Sequence, residues 1–193
     1  MPRDVPMSRV IWFVALAGTG CAADLATKAW LFSWPELLPL RTGKVWWLWE
    51  GHVGFQLSLN EGALFGMGQG LVWLFAALSF VAAVAIPVWL FVFGAARDRL
   101  LCVALGLVMG GVLGNLYDRL GLHGITRSTP GGSVETVYAV RDWILLQWND
   151  QWRWPNFNIA DALLVSGACL LALHAVLQPG QAAAEDSAAS GGD

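Results

Sequence analysis

Apolar positions along this chain fall into four long runs, at about 10–32, 71–93, 100–117 and 159–177, with two mixed stretches, 33–70 and 118–158, between them. Each run has roughly the 20 residues that a helix needs to cross about 30 Å of hydrocarbon. The second is the cleanest, since residues 71–93 carry no charged side chain. Inside the first mixed stretch, Phe55-Gln56-Leu57-Ser58-Leu59-Asn60 alternates apolar and polar, the period of a half-buried strand. The pattern predicts an all-α membrane protein of four transmembrane helices, with a small extracytoplasmic β-sheet and an outer loop or helix segment. Residues 1–178 read as one integral membrane domain. The tail 179–193 is rich in Ala, Gly and Ser without an aromatic, and is expected to be a disordered cytoplasmic end.

Charge gives this arrangement an orientation. Lys and Arg beside spans favour the cytoplasmic side, and Arg3, Arg9, Arg97 and Arg99 mark it. Both termini and the short loop 94–99 are then inside, and 33–70 and 118–158 outside. Tryptophan prefers the headgroup level. Ten of the twelve then fall on the outer side, with Trp12 and Trp89 on the inner. The outer interface is the expected working surface.

Composition narrows the function. Hydrophobic residues make up 56% of the chain and charged ones 13%, with a mean hydropathy of +0.56, so a soluble domain is excluded. A net charge of -3 without a basic stripe argues against nucleic acid. Cys21, Cys102 and Cys169 fall within spans without a C-x-x-C pair, suggesting neither disulfides nor a metal site. Gly18-Thr19-Gly20-Cys21 could pass for the end of a lipoprotein signal, but the apolar run continues to Phe32. A retained first span is expected.

The remaining signal is polar. Asp24 and Lys28 share one helical face near the outer end of the first span, either as a self-neutralising pair or as a device that orients something there. In the third span Gly106, Gly110 and Gly114 form a small-residue stripe for close packing. Beside it Gly111, Asn115 and Arg119 share a face. Asn60-Glu61-Gly62-Ala63-Leu64-Phe65-Gly66 reads as a turn permitting close backbone approach.

Asp161 is the most informative of these residues, because an ionised Asp in a spanning segment costs roughly 2.5 to 3.5 kcal/mol and is usually kept for a task. Asn158 as N-cap would place it at N3, a capping arrangement that explains it without chemistry. A second carboxylate would change that reading. Asp118, Asp142 and Asp150 all precede the fourth span, and spacing does not choose among them. Two carboxylates within about 4 Å repel by roughly 4 kcal/mol at an effective dielectric near 20. One then keeps a proton while the other stays ionised, as in aspartic peptidases.

Four motifs in order, Asp24-Leu25-Ala26-Thr27-Lys28, Asn60-Glu61-Gly62-Ala63-Leu64-Phe65, Gly114-Asn115-Leu116-Tyr117-Asp118-Arg119 and Phe157-Asn158-Ile159-Ala160-Asp161, resemble those of lipoprotein signal peptidase (signal peptidase II) over about residues 8–178. The resemblance implies an intramembrane aspartic endopeptidase that removes the signal peptide from prolipoproteins carrying diacylglyceryl-cysteine, cutting just before that cysteine. It implies no cofactor and no metal. It also implies the cytoplasmic membrane, lipid neighbours, a monomer, and an active site near the outer leaflet.

By the same resemblance Ala139-Val140-Arg141-Asp142-Trp143 holds the second catalytic residue, so Asp142 pairs with Asp161 and Asp118 does not. Asn60, Gly62, Asn115, Arg119 and Asn158 would bind substrate, with Asp24, Lys28, Gly111 and Ala160 in support. Two features depart from the family pattern: Arg141 stands where an apolar residue is usual, and 120–138 is longer than usual. The latter, with Ser128-Thr129-Pro130-Gly131-Gly132-Ser133, is expected to be a flexible surface insertion. Intramembrane Asp, Lys and Arg also suit a small proton-coupled carrier, the alternative reading, although polar residues gathered at one interface and the lack of a repeat speak against it.

Overall fold

The computed structural model describes residues 5–38, 43–62, 68, 70–149 and 151–177. Among these residues, four helices are long and apolar enough to cross a membrane. They are α1 (Met7–Leu31), α2 (Val72–Pro87, continued as a π-helical turn Val88–Val92), α3 (Arg99–Arg119) and α4 (Ile159–Leu177). Pro87 has no N–H to donate, and the helix widens directly after it, Phe93 N–H reaching back to the Val88 carbonyl.

The third helix is the centre of the bundle. Protein buries 61% of its apolar window, against 17%, 11% and 11% for α1, α2 and α4, whose remaining surface is apolar and outward. Glycine makes this possible on two faces. Toward α1, a Cβ at Gly110 would lie 3.3 Å from the Ala17 carbonyl oxygen and one at Gly114 2.5 Å from Asp24 Oδ2. Toward α4, a Cβ at Gly111 would collide with the Ala160 carbonyl, while Gly167 answers from α4 against the Ala104 carbonyl.

The all-α label does not describe the molecule. Beside the helices stands a four-stranded antiparallel sheet ordered β1-β2-β5-β6, formed by β1 (Trp46–Trp49), β2 (Val53–Asn60), β5 (Val140–Asn149) and β6 (Trp152–Phe157). Leu31, Leu37, Leu57 and Trp143 form a small buried cluster that joins the end of α1 to this sheet. The inserted segment is also ordered into strands. β3 (Thr126–Ser128) pairs with β4 (Val134–Thr136), and the turn between them closes with Gly132 at φ 81°, a conformation glycine adopts without strain.

A further difference concerns Asp118. The hydropathy boundary leaves it in the loop 118–158, but α3 runs on through Arg119, so Asp118 is buried in its last turn. The expected disordered tail, residues 63–67 of the turn after β2, and Asp150 lie outside the described residues.

Candidate active site

Three helix ends and two strands converge at one end of the bundle. α4 begins there with a reciprocal cap: Asp161 N–H donates to Asn158 Oδ1 at 2.9 Å, and Asn158 N–H donates to Asp161 Oδ2 at 3.2 Å. The capping arrangement expected from sequence is therefore present. It leaves Asp161 Oδ1 to accept from Asn115 Nδ2 at 2.8 Å, across from α3.

Asn158 faces the other way with its amide. Nδ2 donates to Asp142 Oδ1 at 2.6 Å and approaches Asn115 Oδ1 at 3.3 Å. Asp142 stands near the start of β5, opposite Ser58 of β2, and its second oxygen accepts from Asn60 Nδ2 at 3.2 Å. One buried amide thus holds the carboxylate of β5 and caps the helix that carries the carboxylate of α4. Asp142 is only 1% exposed. Its titration is pushed up to about 7, first by burial and then by the Asp161 charge, against the hydrogen bonds from Asn158 and Asn60. Mutual repulsion is the second cause rather than the first, because burial penalises the charged form on its own.

Behind these residues lies an ion network. Lys28 Nζ is 2.6 Å from Asp24 and 3.1 Å from Asp118, and it donates to Asn115 Oδ1 at 3.0 Å. Asp24 also accepts from the Ala160 N–H at 2.9 Å, so it ties α1 to the first turn of α4. Asp118 is held in addition by Arg141, through Nε, Nη2 and the backbone N–H at 3.0, 2.8 and 2.9 Å. Asp24, Lys28, Asp118 and Arg141 sum to zero charge and are all buried, which is what a low-dielectric site requires.

In front lies a cleft of about 300 Å³, lined among others by Asn60, Phe75, Leu78, Asn115, Arg119 and Asp161. Arg119 Nη2 donates to the Gly62 carbonyl at 3.3 Å, and Gly62 N–H turns back onto Asn60 Oδ1 at 2.9 Å. Arg119 Nε is buried and finds no acceptor among the described residues. Two carboxylates linked through Asn158, one able to hold a proton at neutral pH, beside a cleft into which Arg119 brings an unpartnered N–H, can activate a water and protonate a leaving group.

Residues 16–177 match the family model for signal peptidase (SPase) II. The chain is 49% identical to a lipoprotein signal peptidase of Rhodopirellula baltica over 166 residues, covering 86% of this chain and 72% of that protein. The chain belongs to the signal peptidase II family. A second lipoprotein signal peptidase, from Methylorubrum extorquens, is 34% identical over 93% of both chains. A bacterial membrane enzyme solved by the in meso method at 1.9 Å shares the fold, with a TM-score of 0.67 at 22% identity over 93% of this chain and 99% of that one. The carrier alternative finds no support in these similarities.

The site residues that the signal peptidase II resemblance names fall in this one region. Asn60, Asn115, Arg119 and Asp161 line the cleft, Gly62 and Asn158 are hydrogen-bonded to them, and Asp142 lies one hydrogen bond behind Asn60. Asp24, Lys28 and Ala160 lie beneath, and Gly111 admits the Ala160 turn. Sequence reasoning missed the lining from α2, Phe75, Leu78 and Ser79, because an all-apolar run shows no preferred face. It also left Arg141 without a partner, although its departure from the signal peptidase II pattern was a signal.

Proposed function

We propose that this chain is an aspartic endopeptidase that removes the signal peptide from diacylglyceryl-modified prolipoproteins, cutting just before the lipidated cysteine. Asp142 and Asp161 are its catalytic pair. The observation that carries the reading is the single amide of Asn158, which bonds Asp142 and caps the helix of Asp161 beside an open cleft. At neutral pH the pair shares one proton. The ionised carboxylate takes a proton from water as its oxygen attacks the scissile carbonyl, and the protonated one gives its proton toward the leaving amine.

Arg119, with Asn60, Gly62, Asn115 and Asn158, holds the peptide backbone, and the unpaired donor of Arg119 suits a substrate carbonyl. Asp24, Lys28, Gly111 and Ala160 support that pocket. The protein acts as a multi-pass protein of the cytoplasmic membrane, as one domain over 1–178, with both termini inside and the site near the outer leaflet. Similarity to lipoprotein signal peptidases and the exposed apolar surface of α1, α2 and α4 support this placement.

Cleavage of a diacylglyceryl-modified prolipoprotein in detergent tests the reading. Wild type should cut it, and Asp142→Asn and Asp161→Asn should each lose at least about a thousandfold in rate while remaining folded. Asp118→Asn should retain measurable turnover. Full activity of Asp142→Asn would remove Asp142 from the pair.

A further inference from the structure

We propose that Arg141 is a positioning residue, which clamps the first residues of β5 to the last turn of α3 and so sets Asp142 against Asp161. The inference rests on the reading of those two carboxylates as the catalytic pair, and adds a residue that the family pattern does not supply.

Arg141 grips Asp118 three times. Its fork donates Nε at 3.0 Å and Nη2 at 2.8 Å to Oδ1, and its own backbone N–H donates to Oδ2 at 2.9 Å. A planar guanidinium fixes both distance and angle in this way, which a point charge does not. The guanidinium also lies 5.9 Å from the Phe32 ring centroid, just beyond the end of α1. The backbone held by this clamp is one residue from Asp142. Movement there also passes to β2, because Arg141 pairs with Leu59 and Val140 with Asn60, and Asn60 is itself a donor to Asp142.

Lys28 makes the clamp part of a larger frame. One arm runs from Lys28 through Asn115 to Asp161, and the other from Lys28 through Asp118 and Arg141 to the strand of Asp142. The two carboxylates are thus referred to a common buried cation from opposite sides. Loss of the second arm leaves the Asp142 side chain on two neutral amides and its backbone on the β2 pairing alone at that end of the strand, and a displacement of about 1 Å at a reacting group costs on the order of a hundredfold in rate.

Arg141→Met alone would leave Asp118 and Asp24 sharing Lys28, with a buried negative charge in excess, and such variants often fail to fold. Asp118→Asn with Arg141→Met restores neutrality while removing the guanidinium fork, so that of the three bonds only the one from the backbone N–H can persist. In cleavage of a diacylglyceryl-modified prolipoprotein, the double variant should melt near the wild-type temperature and show KM within about twofold, but lose about a hundredfold in kcat. Arg141→Lys keeps every charge and loses the fork, and should lose about tenfold in kcat at unchanged KM.

A residue that served only folding would give the opposite result, with kcat recovering as stability recovers. Wild-type kcat in the double variant therefore overturns the proposal, and wild-type kcat in Arg141→Lys does so by itself if the double variant does not fold. Absence of cleavage by the unmodified chain would sink the peptidase reading instead, so the two failures are distinct.

Discussion

Asp142 gives the site its pH dependence. Its folded value, about 7, lies well above the 3.8 of an ordinary Asp, so the folded chain keeps a proton there that the unfolded chain gives up. The stability from this group is complete below about pH 4 and is lost as pH rises through about 7, at roughly 1.4 kcal/mol per pH unit across that window. Thermal unfolding in detergent at pH 5 and pH 7.5 reads this slope, and Asp142→Asn should flatten it. A slope unchanged by the substitution would mean that another group holds the proton. Turnover should fall above about pH 7, as the pair loses the proton it shares. At this scale sequence is informative where interactions are local. Asn158 capping a helix with Asp161 at its third position is readable because the partners are three apart. The grip of Arg141 on Asp118 is not, since 23 residues separate them and only the folded strand brings them together.

The same contrast holds for whole elements. The four spanning helices of the described residues can be located from their apolar length, which is the physical requirement for crossing lipid, but among the six strands described only β2 shows a readable alternation. β5 is buried on both faces where it meets the helices and exposed at its far end, so no period of two survives in its sequence. β6 contains Pro155, which a central strand would not tolerate, and it is indeed one of the two edge strands of its sheet. The glycine stripes are readable as close-packing faces, and the structure divides them between two neighbours. Gly111→Ala should therefore cost about 1 to 3 kcal/mol, because its methyl would meet the Ala160 carbonyl with Leu164 Cγ 2.7 Å away and would push the Asp161 turn from Asn115. Gly18→Ala, with nothing within 4 Å, should leave stability unchanged or slightly raised. Melting temperatures in detergent compare the two, and an equal cost at both positions would argue against the α3–α4 contact as the tight one.

At the scale of the molecule the two ends of the bundle differ in kind. At one end lie the sheet, the ion network and both carboxylates of the proposed pair. At the other, Asp98 caps α3 by accepting from Leu101 N–H and meets His174 of α4 at 2.7 Å. Charge near the spans predicts that the sheet end faces outward, and chain geometry adds that the inserted hairpin β3–β4 must share that side, since it leaves from the end of α3. Through Arg127 the hairpin also comes within 3.9 Å of Glu61, one residue along the chain from Asn60 of the cleft lining. Thiol labelling in intact bacterial cells tests this orientation. In a chain carrying Cys21→Ala, Cys102→Ala and Cys169→Ala, a membrane-impermeant maleimide should label the Ser133→Cys variant at the exposed hairpin turn, and the Ala95→Cys variant only after the membrane is opened. The reverse pattern would place the cleft on the cytoplasmic face. A lipid-modified substrate presented from the outer leaflet could then not reach Asp161, and the proposed peptidase would have to take its substrate from the other side of the bilayer.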